Sequence, residues 1–131
     1  MQRLYILLLA GLLLASTASF AADPKAEPKA DEASIWMKRK LEHSQKVFAA
    51  LAAGDFEQIA ASSKSLDTLN TLEKFIRGRN PEYRTQLEIF RYANQQILKQ
   101  AEAKNLDGAT LAFNQLTLSC VNCHRQLRDT K

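Results

Sequence analysis

Residues 78–107, "GRNPEYRTQLEIFRYANQQILKQAEAKNLD", carry one complete helix signal between two breaks. Gly78 is a natural helix stop, and Asn80 followed by Pro81 reads as an N-cap and a first helical residue, where proline's missing N–H costs nothing. Tyr83, Leu87, Phe90, Asn94, Ile97 and Ala101 then recur at spacings of four and three, which lays them along one helix face as far as Asn105. A half-buried strand would need alternation with a period of two, and the stretch has none.

The same period continues on both sides. Upstream, Asp55 with Gln58 three positions on forms a capping-box variant, and Phe56, Ile59, Ser63, Leu66, Leu69, Leu72 and Ile76 follow as one stripe. Ahead of that, Ser34 to Ala53 places Met37, Leu41, Ser44, Phe48 and Leu51 on a stripe widened by Val47, and Gly54 ends it. Downstream, a helix starting at Asp107 has Leu106 and Leu111 at the positions of a hydrophobic staple. Its inner face reads Phe113, Leu116, Cys120, Cys123 or His124, and Leu127. Helices of about 20 to 24 residues are roughly 30 to 36 Å long. Joined by short connections, they become antiparallel neighbours. The expected fold is all-α: an up-down-up-down four-helix bundle over residues 34–131.

The first residues stand apart. Arg3 precedes an apolar run from Leu4 to Leu14 and then the small residues of "ASTASFAA", the pattern of a secretory signal peptide over residues 1–21. The run is shorter than the roughly 20 residues of a membrane span, so export to the periplasm without a permanent membrane anchor is expected. "ADPKAEPKADEA", residues 22–33, reads as a flexible linker. Loss of Arg3 with the leader lowers the net charge from +4 to +3. Cationic residues are spread along the chain and not clustered with aromatics, so nucleic acid is not an expected partner.

Chemistry concentrates at the other end. "SCVNCH", residues 119–124, contains both cysteines of the chain and one of its two histidines. Cys-x-x-Cys-His is the attachment pattern of a c-type haem. On a helix the two cysteines fall on one side to form thioethers, and His124, four residues after Cys120, projects beside them toward the iron. A helical Cys-x-x-Cys bridge would be strained and suited to redox work, but a thioredoxin-like site needs the motif between a strand and a helix. Zinc lacks a fourth ligand, and the adjacent Cys123 and His124 reach one tetrahedral ion poorly. One covalently attached haem c is therefore the expected cofactor.

The opposite face of the iron decides the function. Met37, the single methionine left after leader removal, lies on the inner stripe of the first helix, and antiparallel packing sets the start of that helix level with the end of the fourth. Met37 and His124 thus approach the same end of the bundle. Methionine opposite histidine raises an iron's potential and closes its open site, which suits electron transfer. Gap-filling in the core is the competing role for Met37. His43, six residues further on, is rotated about 120° off the stripe. If no side chain ligates opposite His124, a five-coordinate iron would bind nitric oxide or carbon monoxide instead. No distal histidine with an acid or arginine is placed to cleave a peroxide, so an electron carrier and not an enzyme is expected.

These residues resemble the class II c-type cytochromes, which include cytochromes c-prime and their low-spin relatives. The resemblance spans Ser34 to Lys131 and rests on "CVNCH" near the C-terminus, four helices and a first-helix methionine. It implies thioether attachment through Cys120 and Cys123, proximal ligation by His124, a distal position filled by Met37, and dimers through a helix face, although no extra apolar stripe is clear. Two positions depart from the family: Leu127 stands where an aromatic is common, and Ala33 where an arginine would meet a haem propionate. Lys38, Arg39 and Lys40 beside Met37, with Arg125, Arg128 and Lys131 beside the motif, are expected to form a basic rim for an acidic redox partner. Trp36 and Asn94 are further candidates for packing or hydrogen bonding near the haem.

Overall fold

The computed structural model describes residues 30–129, and side chains from Ile35 onward. The expected signal peptide, linker residues 22–29 and Lys131 lie outside that range. Four helices make up the described chain: α1 (Ala30–Ala53), α2 (Phe56–Arg77), α3 (Pro81–Glu102) and α4 (Leu106–Asp129). They form the expected all-α four-helix bundle. α1 packs on α2, α2 on α3 and α3 on α4 along their lengths, whereas α1 and α4 touch only sparingly.

Local chemistry sets each reversal. Gly54 takes a φ of 69°, a left-handed value that a Cβ would strain. The Asp55 side chain then accepts the Gln58 N–H at 3.0 Å. At Gly78 an added Cβ would collide with the carbonyl oxygen of Lys74, so only glycine lets α2 end as it does. The Asn80 side chain accepts the N–H groups of Glu82 and Tyr83 at 2.9 and 3.1 Å, the work of an N-cap.

Three boundaries differ from the sequence expectation. α1 begins at Ala30, not Ser34, because the good helix formers ahead of Ser34 offer no stop. α3 ends at Glu102, short of Asn105, where Lys104 turns the chain with a φ of 53°. Asn105, not Asp107, caps α4 by accepting the Gly108 N–H at 3.0 Å. Leu106 therefore enters the first turn, no staple forms, and Leu111 is exposed.

The core occupies the half of the bundle around the end of α1 and the start of α4. Val47, Ala50 and Leu51 meet Ile59 and Leu66, Phe90, Ala93, Ile97 and Ala101, and Ala109, Ala112 and Leu116. Small residues on α3 and α4 let the helices approach closely there. Leu72 and Ile76, expected inside, are exposed. The buried face of α2 instead runs through Leu66, Asn70 and Glu73, whose polar groups find partners on α1 and α3. Leu127 is also exposed; its neighbour Gln126 meets α3, accepting from Gln86 Nε2 at 2.8 Å.

Candidate functional site

The other half of the bundle holds a cleft of about 720 Å³ between α1 and α4, floored by α2 and α3. Its size lies within the roughly 300–1,000 Å³ of cofactor and ligand sites. Met37, Leu41, Ser44 and Phe48 form the α1 wall, while Phe113, Leu116, Cys120, Cys123 and His124 form the α4 wall. Leu87 and Phe90 supply an apolar floor. The Phe48 and Phe113 rings close the inner end, with centroids 6.1 Å apart and planes inclined by 29°.

The α1 wall is the stripe read from the sequence, but it does not pack like a core. Leu41 is 60% exposed and Phe48 64%. Large apolar side chains facing each other across an open cleft mark a surface made to be covered by something apolar.

The four residues singled out from the sequence line this one cleft. Cys120 and Cys123 are half-buried, unbridged thiols. Burial pushes both above the ordinary thiol range; Glu73 pushes Cys123 further, and Lys40 opposes the shift at both. Both sulfurs are therefore neutral thiols at neutral pH. His124 is exposed on the same wall, and Met37 is half-buried on the opposite one. His43 and Trp36 do not line the cleft. His43 is half-buried, with an Nδ1 that has no hydrogen-bond partner. Asn94 is used in the core, where its Nδ2 donates to the Ser63 carbonyl at 2.8 Å.

The expected basic rim loses one member. Lys40 is 8% exposed, with Nζ 2.5 Å from Glu73 Oε2 and 3.2 Å from Asn70 Oδ1. It also stands 4.3 Å from the Phe90 ring centroid. Glu73 has no exposed surface and accepts from the Tyr83 hydroxyl as well. Burial and that bond to Glu73 push the Tyr83 hydroxyl far above the ordinary phenol range. Lys40, Glu73 and Tyr83 all line the cleft. Lys38, Arg39, Arg125 and Arg128 are exposed, Lys38 at the cleft itself, and Lys131 lies outside the described residues. Sequence reasoning missed the buried network, although its signal was present. Glu73 is three residues after Asn70 and seven after Leu66, on the inner face of α2, and Lys40 is three after Met37.

Among the described residues, no three His, Cys, Asp or Glu side chains are grouped as a metal ion would require. The donors of the cleft fit a flat apolar group that brings its own metal ligands: two thiols and an imidazole on one wall, a methionine sulfur on the other, and apolar surface between. The Cys-x-x-Cys-His spacing within an all-α four-helix bundle is consistent with attachment of haem c. No described helix is long and apolar enough to cross a membrane. Comparison with models of known protein families, with curated proteins and with solved structures finds no match to this chain.

Proposed function

We propose that this chain is a monohaem c-type cytochrome that carries electrons. The observation that carries the reading is the meeting of Cys120, Cys123, His124 and Met37 on the walls of one apolar cleft. Haem bound there supplies a one-electron iron centre. The chain supplies everything else. Cys120 and Cys123 tether the group through two thioethers, His124 holds the iron from α4, and Met37 holds it from α1. Leu41, Phe48, Phe90 and Phe113 keep water from the centre, which lowers the reorganisation that electron transfer requires. The exposed Lys38, Arg39, Arg125 and Arg128 favour an acidic redox partner at this end of the bundle. The leader directs the protein to the periplasm, and such a carrier performs no catalysis.

The test is production of the full chain in a host that matures c-type cytochromes. Mass spectrometry of the product, with the Cys120→Ala and Cys123→Ala variants as controls, should show a covalent tetrapyrrole that both cysteines hold. The ferrous protein should be low-spin and indifferent to carbon monoxide, and Met37→Ala should become high-spin and take it up. Absence of the added mass refutes the haem assignment. Ready carbon monoxide uptake by the unaltered protein refutes Met37 ligation and leaves a five-coordinate gas-binding cytochrome.

A further inference from the structure

A fully buried carboxylate and a nearly buried ammonium do not help a small bundle to fold. The desolvation of two ions roughly cancels their attraction, and apolar residues of similar volume often serve stability as well or better. Lys40 and Glu73 are nevertheless buried together, and they are buried on the cofactor cleft. Of the other buried polar side chains, Ser119 also lines the cleft, whereas Ser62, Ser63, Asn70 and Asn94 do not. Asn70 and Tyr83 orient the pair: Asn70 accepts from Lys40 and donates to the Leu87 carbonyl at 3.1 Å, and Tyr83 donates to Glu73 Oε1 while Lys40 meets Oε2. Each charge is thereby fixed in direction.

Both charges share a cleft with the motif: Lys40 and Glu73 line the same walls as Cys120, Cys123 and His124. An ion pair in that lining presents a dipole to whatever the cleft holds. Inside a cleft walled by leucine and phenylalanine, that field is weakly screened.

We propose that Lys40 and Glu73 set the reduction potential of the bound iron, the Lys40 ammonium raising it and the Glu73 carboxylate lowering it, with Asn70 and Tyr83 as positioning residues. This rests on the cytochrome reading above. The ferric centre carries one more positive charge than the ferrous centre, so a nearby cation favours the reduced form and a nearby anion the oxidised form. Tyr83 moderates Glu73 by donating to it. Without that hydrogen bond the carboxylate acts more strongly.

The test is spectroelectrochemical titration of the haem-loaded full chain at neutral pH. Glu73→Gln should raise the midpoint potential, Lys40→Met should lower it, and the double Lys40→Met/Glu73→Gln variant should fall between them. Tyr83→Phe, the mildest change, should lower it and keeps the proposal testable if the single charge variants fail to fold. Potentials unmoved across haem-bearing variants would overturn this inference while leaving the cytochrome reading intact. Single variants that both shift in the same direction would also overturn it, since that marks a loosened cleft and not a charge effect. An unaltered chain that carries no haem brings down both.

Discussion

The stability of the Lys40–Glu73 pair is open to a quantitative test that needs no cofactor chemistry. Glu73 is fully buried, and its two oxygens are engaged by Lys40 and Tyr83. A pair this close attracts by at least about 4 kcal/mol at an effective dielectric near 20, and the desolvation of each ion costs several kcal/mol. The intact pair is thus close to neutral for folding. Replacing Glu73 by alanine is not neutral, because Lys40 then keeps only Asn70 Oδ1 and the face of Phe90 as partners. Breaking such a pair costs about 3–5 kcal/mol. At roughly 4 °C or more per kcal/mol for a domain of this size, the melting temperature should drop by about 12 °C or more.

Glu73→Leu, Lys40→Met and the Lys40→Met/Glu73→Leu double variant complete a cycle beside Glu73→Ala, read by urea unfolding followed through helical circular dichroism. The double variant removes both charges and keeps the volume, so it should recover most of the loss and can exceed the parent by about 1–4 kcal/mol. A Glu73→Ala loss below about 1 kcal/mol would show that water reaches the pair and that burial does not govern it. A double variant as unstable as the single would show that packing, and not charge, carries the cost.

Two further effects follow from local geometry. Asn80→Ala removes the acceptor for two N–H groups at the start of α3 and should cost about 1 kcal/mol in the same unfolding assay. Glu88 accepts from Lys74 and Arg91, which hold its carboxyl below the usual carboxylate range, Lys74 first. The contribution is present above the unfolded value of about 4.3 and is lost as pH falls through the lower folded value. Because Glu88 is largely solvated, Glu88→Gln should cost only a few tenths of a kcal/mol at pH 7, a difference that salt reduces and acid abolishes.

The fold was legible because its determinants are local. Gly54 with Asp55, Gly78 with Asn80, and a run of apolar residues at helical spacing place four helix ends where they occur. The faces were less legible where two stripes competed. On α2 Leu69 is buried as expected, but Leu72 and Ile76 are exposed, and Asn70 and Glu73 point inward instead. Hydropathy ranks them wrongly, since their burial depends on Lys40 and Tyr83, which belong to other helices. Lys40 was misread for the same reason, as one of three consecutive cations. Met37, Cys120, Cys123 and His124 were visible because the antiparallel register alone brings the start of α1 to the end of α4. What they hold is a matter of chemistry beyond the protein atoms.

The open seam and the buried ion pair are two parts of one arrangement. A bundle with short connections packs its sequential helices against one another, and α1 and α4 form the sparsest seam. At one end Ala109 and Ala112 let that seam close over Val47 and Leu51. At the other end Phe48 stacks on Phe113, and beyond it Met37 and Leu41 of α1 line the cleft and are not buried. Lys40, reaching Asn70 and Glu73 while these reach Leu87 and Tyr83, ties α1 to α2 and α3 at that level. Polar bonds with fixed directions can hold a wall without filling the space in front of it, which apolar side chains cannot do. The cleft is therefore walled by directed polar bonds as well as by apolar side chains, and the charges that secure it are the ones a bound iron centre would feel.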